Sequence, residues 1–568
     1  MITSNPIQGT ILETPDRKIR FFYGVLLVAA VWGYLFSGLG NYGLLDNNEG
    51  LYAEVSREMA ETKSFVIPLL DYVPYLEKPP LLYWLISYVY SWFGISEFTT
   101  RIVPVFAAVA MAAGLVILGR KAGRARAGWM SALILASSFG YILISRTLIF
   151  DMLLTCLLGF SLIFFFFWQQ EIGHRYLRLS YTALALAVLA KGLVALLFFV
   201  LIVSLFAALA KEKKLSVRRL FDPIGIALFL AIAAPWHILA MIKINEFAWF
   251  YFIREHVMRF FGTRVPRDYH TGPIYFPLLQ TPVFLLPWTA FLPALFYKRR
   301  GEPFFRSDLE RFLWLWYLVP LVVFSLSFAK ASYYMIAGTP PVAFLLALKM
   351  EQLFSEQKSR LLGICAALIV CAGLLLMAAT YARPDDHTTF LHAVGGYKSG
   401  YLHAFAILTA GAAVAAAFMF WKKYLYSVGV IALLSLPLLV YSLHMVRQAE
   451  PYCSKKSLCY FLQENEKDRE VFLYRDYEEI SSLPFYLKGR VSIIDSASED
   501  LSYSMKYSRD DRRFVSGDVF RRFLKSHKVS VIVMKKRIEE FRSSGLAGLL
   551  VDVRRAGNVV LYENYESR

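Results

Sequence analysis

The chain has 568 residues, of which 57% are hydrophobic and only 18% charged, with a formal net charge of +18. A soluble globule carries more charge and less apolar residue than this, so soluble classes are excluded. The positive balance is first a matter of membrane topology, because Lys and Arg collect in cytoplasmic loops, and nucleic acid is set aside as a partner.

Lys18 and Arg20 precede the first apolar run, which reads as an uncleaved start after a cytoplasmic segment 1–20. Apolar runs long enough to cross a bilayer are expected at 21–39, 101–119, 128–145, 152–169, 179–190, 192–210, 223–242, 275–297, 312–329, 334–349, 361–381, 401–420 and 425–445. Basic clusters alternate between them, at Arg17–Arg20, Arg120–Arg126, Arg175–Arg178, Lys211–Arg219, Lys298–Arg300, Lys349–Arg360 and Lys422–Lys423. With the amino terminus inside, about thirteen spans put every cluster in the cytoplasm and the carboxy-terminal tail outside. The membrane domain is therefore expected over 21–449, with an outer loop 40–100.

Within that loop, Leu51, Val55 and Met59 recur every four residues, which predicts an amphipathic interfacial helix with its charges on the other face. The aromatic run 79–94 is too short for a span, and counting it as one would put Arg120–Arg126 outside. It is expected to lie in the interface, where Trp and Tyr are favoured. After residue 450 the strings EVFLYR, VSIID, VSVIVM and NVVLYE read as buried strands, separated by amphipathic segments near 478–488, 517–527 and 536–544. They predict a small extracytoplasmic α/β domain over 450–568. Cys156, Cys365 and Cys371 sit in apolar runs as packing residues, while Cys453 and Cys459 leave a disulfide open.

The outer loops collect the unusual polar residues: Asp46, Glu49, Tyr52, Glu77 and Lys78, then Arg146 and Asp151, Lys191, the segment REHVMRFFGTR, and KASYY. Ionisable groups at membrane depth are costly and are paired or functional. Each also has a plainer role. Asp46 and Glu49 suit a helix start, and Asp151 suits a helix amino terminus. Lys78 suits a snorkelling anchor, and Lys191 a tight turn. His256 with Glu255 suits a surface pair, and Tyr333 and Tyr334 suit belt aromatics. Arg254, Arg259 and Arg264 recur every five residues, a spacing that does not share an α-helical face.

The strings EGLYAEVSREM and VPYLEKPPLLYW, the lone Asp151, LAKG, EHVMRF and KASYY together resemble the GT-C class of membrane glycosyltransferases. Within it the chain resembles the bacterial branch of lipid A aminoarabinose transferases and protein O-mannosyltransferase-like enzymes, closely over residues 20 to about 350. The resemblance implies an all-α polytopic membrane protein of the bacterial inner membrane, with the active site and carboxy terminus on the periplasmic side. It implies transfer of a sugar, with inversion, from a polyprenyl-phosphate carrier to a lipid A, glycan or protein acceptor, among membrane lipids and without a nucleotide cofactor. Lys78 and Arg259 then bind the carrier phosphate, with Tyr52, Tyr334 and Lys191 beside it. Glu77 and His256 match positions that hold a divalent metal, and Asp151 matches an acid of the second outer loop. The first-loop acid of the family falls on Asn48 here, so Asp46 or Glu49 is expected to replace it, Asp46 first. An O-antigen-type ligase shares the lipid-phosphate logic but places its long outer loop late. A transporter would show internal repeats and broken midplane helices.

Overall fold

The computed structural model describes Gly33 and residues 36–212, 217–266, 268, 270–298, 301–382, 398–465, 469–508 and 512–564. Seven described helices are long and apolar enough to cross a membrane: Glu97–Lys121, Phe150–Gln169, Pro223–Lys243, Asp308–Leu326, Ser359–Ala378, Leu402–Phe420 and Tyr424–Cys453. Two bent pairs raise the number to nine. Ala125–Ala136 with Phe139–Ser145 breaks by 66°, and Phe276–Phe284 with Trp288–Phe296 by 119°. The chain is a mostly helical, multi-pass membrane protein. Helices Arg175–Lys191, Val194–Leu209 and Thr339–Ser355 occupy other expected spans but run only 16–17 residues, short of the usual ~20. Most of the first expected span, 21–39, lies outside the described residues.

Consecutive helices pack as hairpins, which sorts their ends onto two sides. Helices Glu97–Lys121 and Ala125–Ala136 touch at Gly119 and Gly128, where a Cβ on Gly119 would stand 2.4 Å from the facing Cα. Such backbone approach is the way membrane helices associate without a hydrophobic drive. At that side, Asp308 accepts from the backbone of Lys211 (3.0 Å) and Glu212 (2.8 Å), and Arg178 pairs with Asp222 at 3.0 Å. Asp151, Lys191 and the polar loops gather at the opposite side. Phe166, Phe206 and Phe312 fill the space between helices, with ring centroids 5.1–6.4 Å apart.

The first polar loop forms helix Asn48–Thr62, the small hairpin of β1 (Leu69–Leu70) and β2 (Val73–Pro74), and helix Leu81–Phe93. The second helix buries Leu82, Tyr83, Ile86 and Tyr90 and exposes Tyr88, Trp92 and Phe93, the pattern of a helix lying on a surface. The first departs from expectation: Glu49, Glu54 and Glu58 are buried along with Leu51, Val55 and Met59. Arg57 neutralises Glu54 at 2.7 Å, and Arg101 pairs with Glu49 at 2.6 Å. Glu58 accepts from the Tyr72 N–H at 2.8 Å, and the carboxy-terminal region packs on the helix start. Gly50 touches the backbone of Ser482 so closely that a Cβ would meet it at 2.6 Å.

That region carries a six-stranded mixed sheet of β3 (Glu470–Tyr474), β4 (Ser492–Ile494), β5 (Phe514–Val515), β6 (Val529–Met534), β7 (Val551–Ala556) and β8 (Val559–Glu563), in the order β5-β4-β3-β6-β8-β7. β3 pairs in parallel with β4 and β6, while β8 is antiparallel to β6 and β7. The apolar strings marked β3, β4, β6 and β8. β5 is two residues long, and β7 is a largely exposed edge strand, so neither leaves an apolar run to read. Cys453 and Cys459 are separate thiols, and Cys371 is exposed rather than packed inside.

Candidate active site

The segment after β2 places Glu77 and Lys78 against two prolines, which hold the chain extended. Glu77 is buried and accepts from Arg264 at 2.6 Å, while Lys78 Nζ stands 3.4 Å from its other oxygen. Burial pushes Glu77 upward, but Arg264, Lys78, Arg259 and Arg254 outweigh it and hold the carboxyl down at about 2. Glu77 is thus a fixed anion that keeps these cations in place.

Two of the arginines spaced by five sit in or just after a π-helix, Trp249–Met258. Its i→i+5 bonding brings together residues that an α-helix splays. Arg254, Arg259 and Arg264 all reach Glu255, at 2.6, 3.4 and 2.9 Å. Arg259 is held also by Asp268 at 2.6 Å.

Across from this fan, helix Phe150–Gln169 begins at Asp151's turn and helix Arg175–Lys191 ends at Lys191. The two side chains form a buried ion pair. Lys191 Nζ also lies 4.4 Å from the centre of the Tyr334 ring, a cation–π contact. Tyr52 and Tyr333 donate to Asn48 Oδ1 at 3.2 and 3.4 Å. These groups line one cavity, whose wall includes Lys78, Asp151, Lys191, Arg259, Tyr52 and Tyr334. The wall also contains Glu77, Arg264, Tyr75 and, from the carboxy-terminal region, Asp500.

The structure does not bring Asp46 or Glu49 to this wall. Glu49 is 1% exposed and binds Arg101, itself 0% exposed, at 2.6 and 2.8 Å. It also accepts from the backbone of Leu45 and Leu148. Asp46 pairs with Lys455 at 2.5 Å and accepts from the hydroxyl and backbone of Ser482 at 2.7 and 3.0 Å. The helix starts at Asn48 without a side-chain cap, so neither acid serves as one. Both tie the first loop to its neighbours.

His256 is engaged at both ring nitrogens. Its Nδ1 faces the Tyr251 carbonyl at 2.6 Å, and its Nε2 accepts the Leu193 N–H at 3.2 Å. Burial lowers its pKa to about 4, keeping the ring neutral. With Glu77 committed to Arg264 and Lys78, the pair does not fit a shared divalent ion. Among the described residues no three His, Cys, Asp or Glu side chains are gathered as a metal group. Sequence reasoning missed Tyr75 and Asp500 in the wall. Asp500 lies in a polar stretch more than 400 residues from Lys78, and no local pattern marks it.

The fold is that of solved ArnT structures, and the chain is similar in sequence to aminoarabinose transferases. Crystal structures of ArnT from Cupriavidus metallidurans align with TM-scores of 0.80 (bound to undecaprenyl phosphate) and 0.83 (apo). Identity is 22% and 21%, over 96–97% of this chain and 98–99% of theirs. Residues 77–239 match the family described as dolichyl-phosphate-mannose-protein mannosyltransferase. The chain is 29% identical over 423 residues to undecaprenyl phosphate-alpha-4-amino-4-deoxy-L-arabinose arabinosyl transferase 2 of Pseudomonas fluorescens, covering 70% of this chain and 74% of the relative. A similarly named Yersinia enterocolitica enzyme is 28% identical over 58% of this chain and 60% of its own length.

Proposed function

We propose that this protein is an inner-membrane glycosyltransferase that moves a sugar, by resemblance 4-amino-4-deoxy-arabinose, from undecaprenyl phosphate to lipid A. The observation that carries the reading is the convergence of Lys78, Lys191 and Arg259 on one cavity walled by tyrosines. Guanidinium and ammonium groups stabilise phosphate oxygens, and their attraction grows as the departing phosphate gains charge. Asp151 holds Lys191 against the Tyr334 ring, and Tyr52 and Tyr334 offer faces to the sugar. The activities for which the relatives are named support the donor. Asn48 is neutral and cannot serve as a base, so first-loop carboxylate chemistry is not part of the mechanism. Asp46 and Glu49 act as scaffold.

The basic clusters support about thirteen spans, with the cavity and the 450–568 domain on the periplasmic face. A reporter fused after residue 450 is then active only outside the cytoplasm, and one near 215 only inside. Purified protein incubated with undecaprenyl-phosphate aminoarabinose and lipid A yields lipid A heavier by one sugar in mass spectrometry. Sugar found only on a glycan or protein acceptor would reassign the acceptor, and an unconsumed donor would sink the reading.

A further inference from the structure

Three carboxylates line the cavity, and two of them are matched by cations. Glu77 has Arg264 and Lys78, and Asp151 has Lys191. Asp500 differs: among the described residues its carboxylate has neither an ion pair nor a hydrogen-bond donor, although it shares the wall with Lys78 and Arg264.

Its position is fixed by the segment that carries it. The Asp500 backbone N–H donates to Glu478 at 3.0 Å, and Ser498 Oγ donates to the same carboxylate at 2.5 Å. Ser504 donates to the Pro74 carbonyl of β2, and the Tyr503 ring packs 4.3 Å from Phe250 of the π-helix. Tyr503 and Lys506 both reach Glu246. The segment is thus bolted to both outer loops that supply the cations. The charged and titratable groups facing Asp500 are Glu77 and Lys78 with Tyr75 and Tyr83 from the first loop, Arg264 from the loop after the π-helix, and Glu478 from its own region.

We propose that Asp500 is a catalytic acid supplied by the carboxy-terminal region, which donates its proton to the oxygen of the carrier phosphate that leaves the sugar. The proposal rests on the polyprenyl-phosphate donor inferred above. The acceptor oxygen forms a bond to the anomeric carbon, and the bond from that carbon to the phosphate oxygen breaks. The departing oxygen takes the electron pair and the Asp500 proton. A proton lost by the acceptor hydroxyl returns through water at the cavity mouth to Asp500, so the cycle closes. Burial, with Glu77 and Glu478 nearby, raises the Asp500 pKa well above the ordinary carboxyl range and keeps the proton available.

The test compares wild type with Asp500→Asn and Asp500→Glu, using undecaprenyl-phosphate aminoarabinose as donor and measuring kcat across pH together with undecaprenyl phosphate affinity. Asp500→Asn is expected to lower kcat by about 100-fold or more. It should also abolish the fall in rate at high pH and leave carrier affinity within threefold. Asp500→Glu should restore a measurable rate with the alkaline limb displaced. A kcat within threefold of wild type, or an alkaline limb unchanged in either variant, overturns the proposal. If Asp500→Asn does not fold, Asp500→Glu alone decides through the position of its limb. A wild-type protein that never releases sugar from the donor would instead refute the donor assignment, a separate failure.

Discussion

Glu49 distinguishes a scaffold carboxylate from a catalytic one, and its replacement has a calculable result. Arg101 spends its whole guanidinium on Glu49 and on the carbonyls of Leu39 (2.8 Å), Tyr42 (3.0 Å) and Gly43 (2.9 Å). Its face lies 3.8 Å from the centre of the Tyr42 ring. Glu49→Gln keeps the shape and the acceptor for the Leu148 N–H but leaves a buried cation without its anion. Breaking a buried pair on one side costs about 3–5 kcal/mol. Glu49→Ala adds orphaned N–H groups at Leu45 and Leu148, each worth about 1–3 kcal/mol. The order of loss is therefore Ala beyond Gln. Glu49→Gln with Arg101→Met should recover part of the loss, because an apolar replacement removes both charges. Thermal unfolding of detergent-solubilised protein, followed by tryptophan fluorescence, reads all three. A Glu49→Gln protein with the wild-type midpoint and no turnover would refute the scaffold role and return Glu49 to the chemistry.

Asp46→Asn should behave likewise, since Lys455 is buried and has Asp46 as its carboxylate partner; a lowered midpoint is expected, and unaltered stability with lost activity would contradict it. Asp151→Asn frees Lys191 at the cavity and should cut turnover at least ~10-fold, or ~1.4 kcal/mol of barrier, while carrier affinity holds; full activity would remove Asp151 from the mechanism. Asp71 gives a pH signature: burial, against the pull of Arg513, raises its folded pKa from 3.8 to about 7. The folded state therefore holds the proton more tightly than the unfolded one. The stability this brings is complete below about pH 4 and is lost as pH rises through 7. Asp71→Asn still accepts the Val491 N–H and should outlast wild type at pH 8, with a clearly smaller gap at pH 5. An equal offset at both pH values would contradict the assignment.

What the chain reveals locally and what it hides follow from the reach of each interaction. The apolar runs and the basic clusters at Arg120–Arg126 or Lys211–Arg219 are readable because each span meets the bilayer by itself. The strands β3, β4, β6 and β8 are readable because buried strands are continuous apolar runs. Lys78, Asp151, Lys191, Arg259, Tyr52 and Tyr334 stood out as polar groups at the ends of apolar runs and in the loops between them, and the fold gathers them around one cavity. The roles of Glu49 and Asp46 did not, because their cations lie 52 and 409 residues away, at Arg101 and Lys455. A helical charge pattern cannot distinguish an exposed face from one covered by a distant domain, so helix Asn48–Thr62 read as half-solvated when it is almost wholly buried. The five-residue arginine spacing shares no α-helical face; the π-helix and the loop after it bring all three arginines to Glu255.

The measurement that tests the central claim most directly is the affinity of purified protein for undecaprenyl phosphate, set against the uncharged polyprenol of equal length. Native mass spectrometry of wild type, Lys78→Ala and Arg259→Ala provides it. Each substitution removes a charge-assisted phosphate contact worth roughly 1.5–3 kcal/mol, so each variant should bind at least ~10-fold more weakly, and the polyprenol should not compete with the phosphate. Variants that bind as wild type does, or a polyprenol that competes equally, would show that the cavity does not hold the carrier phosphate.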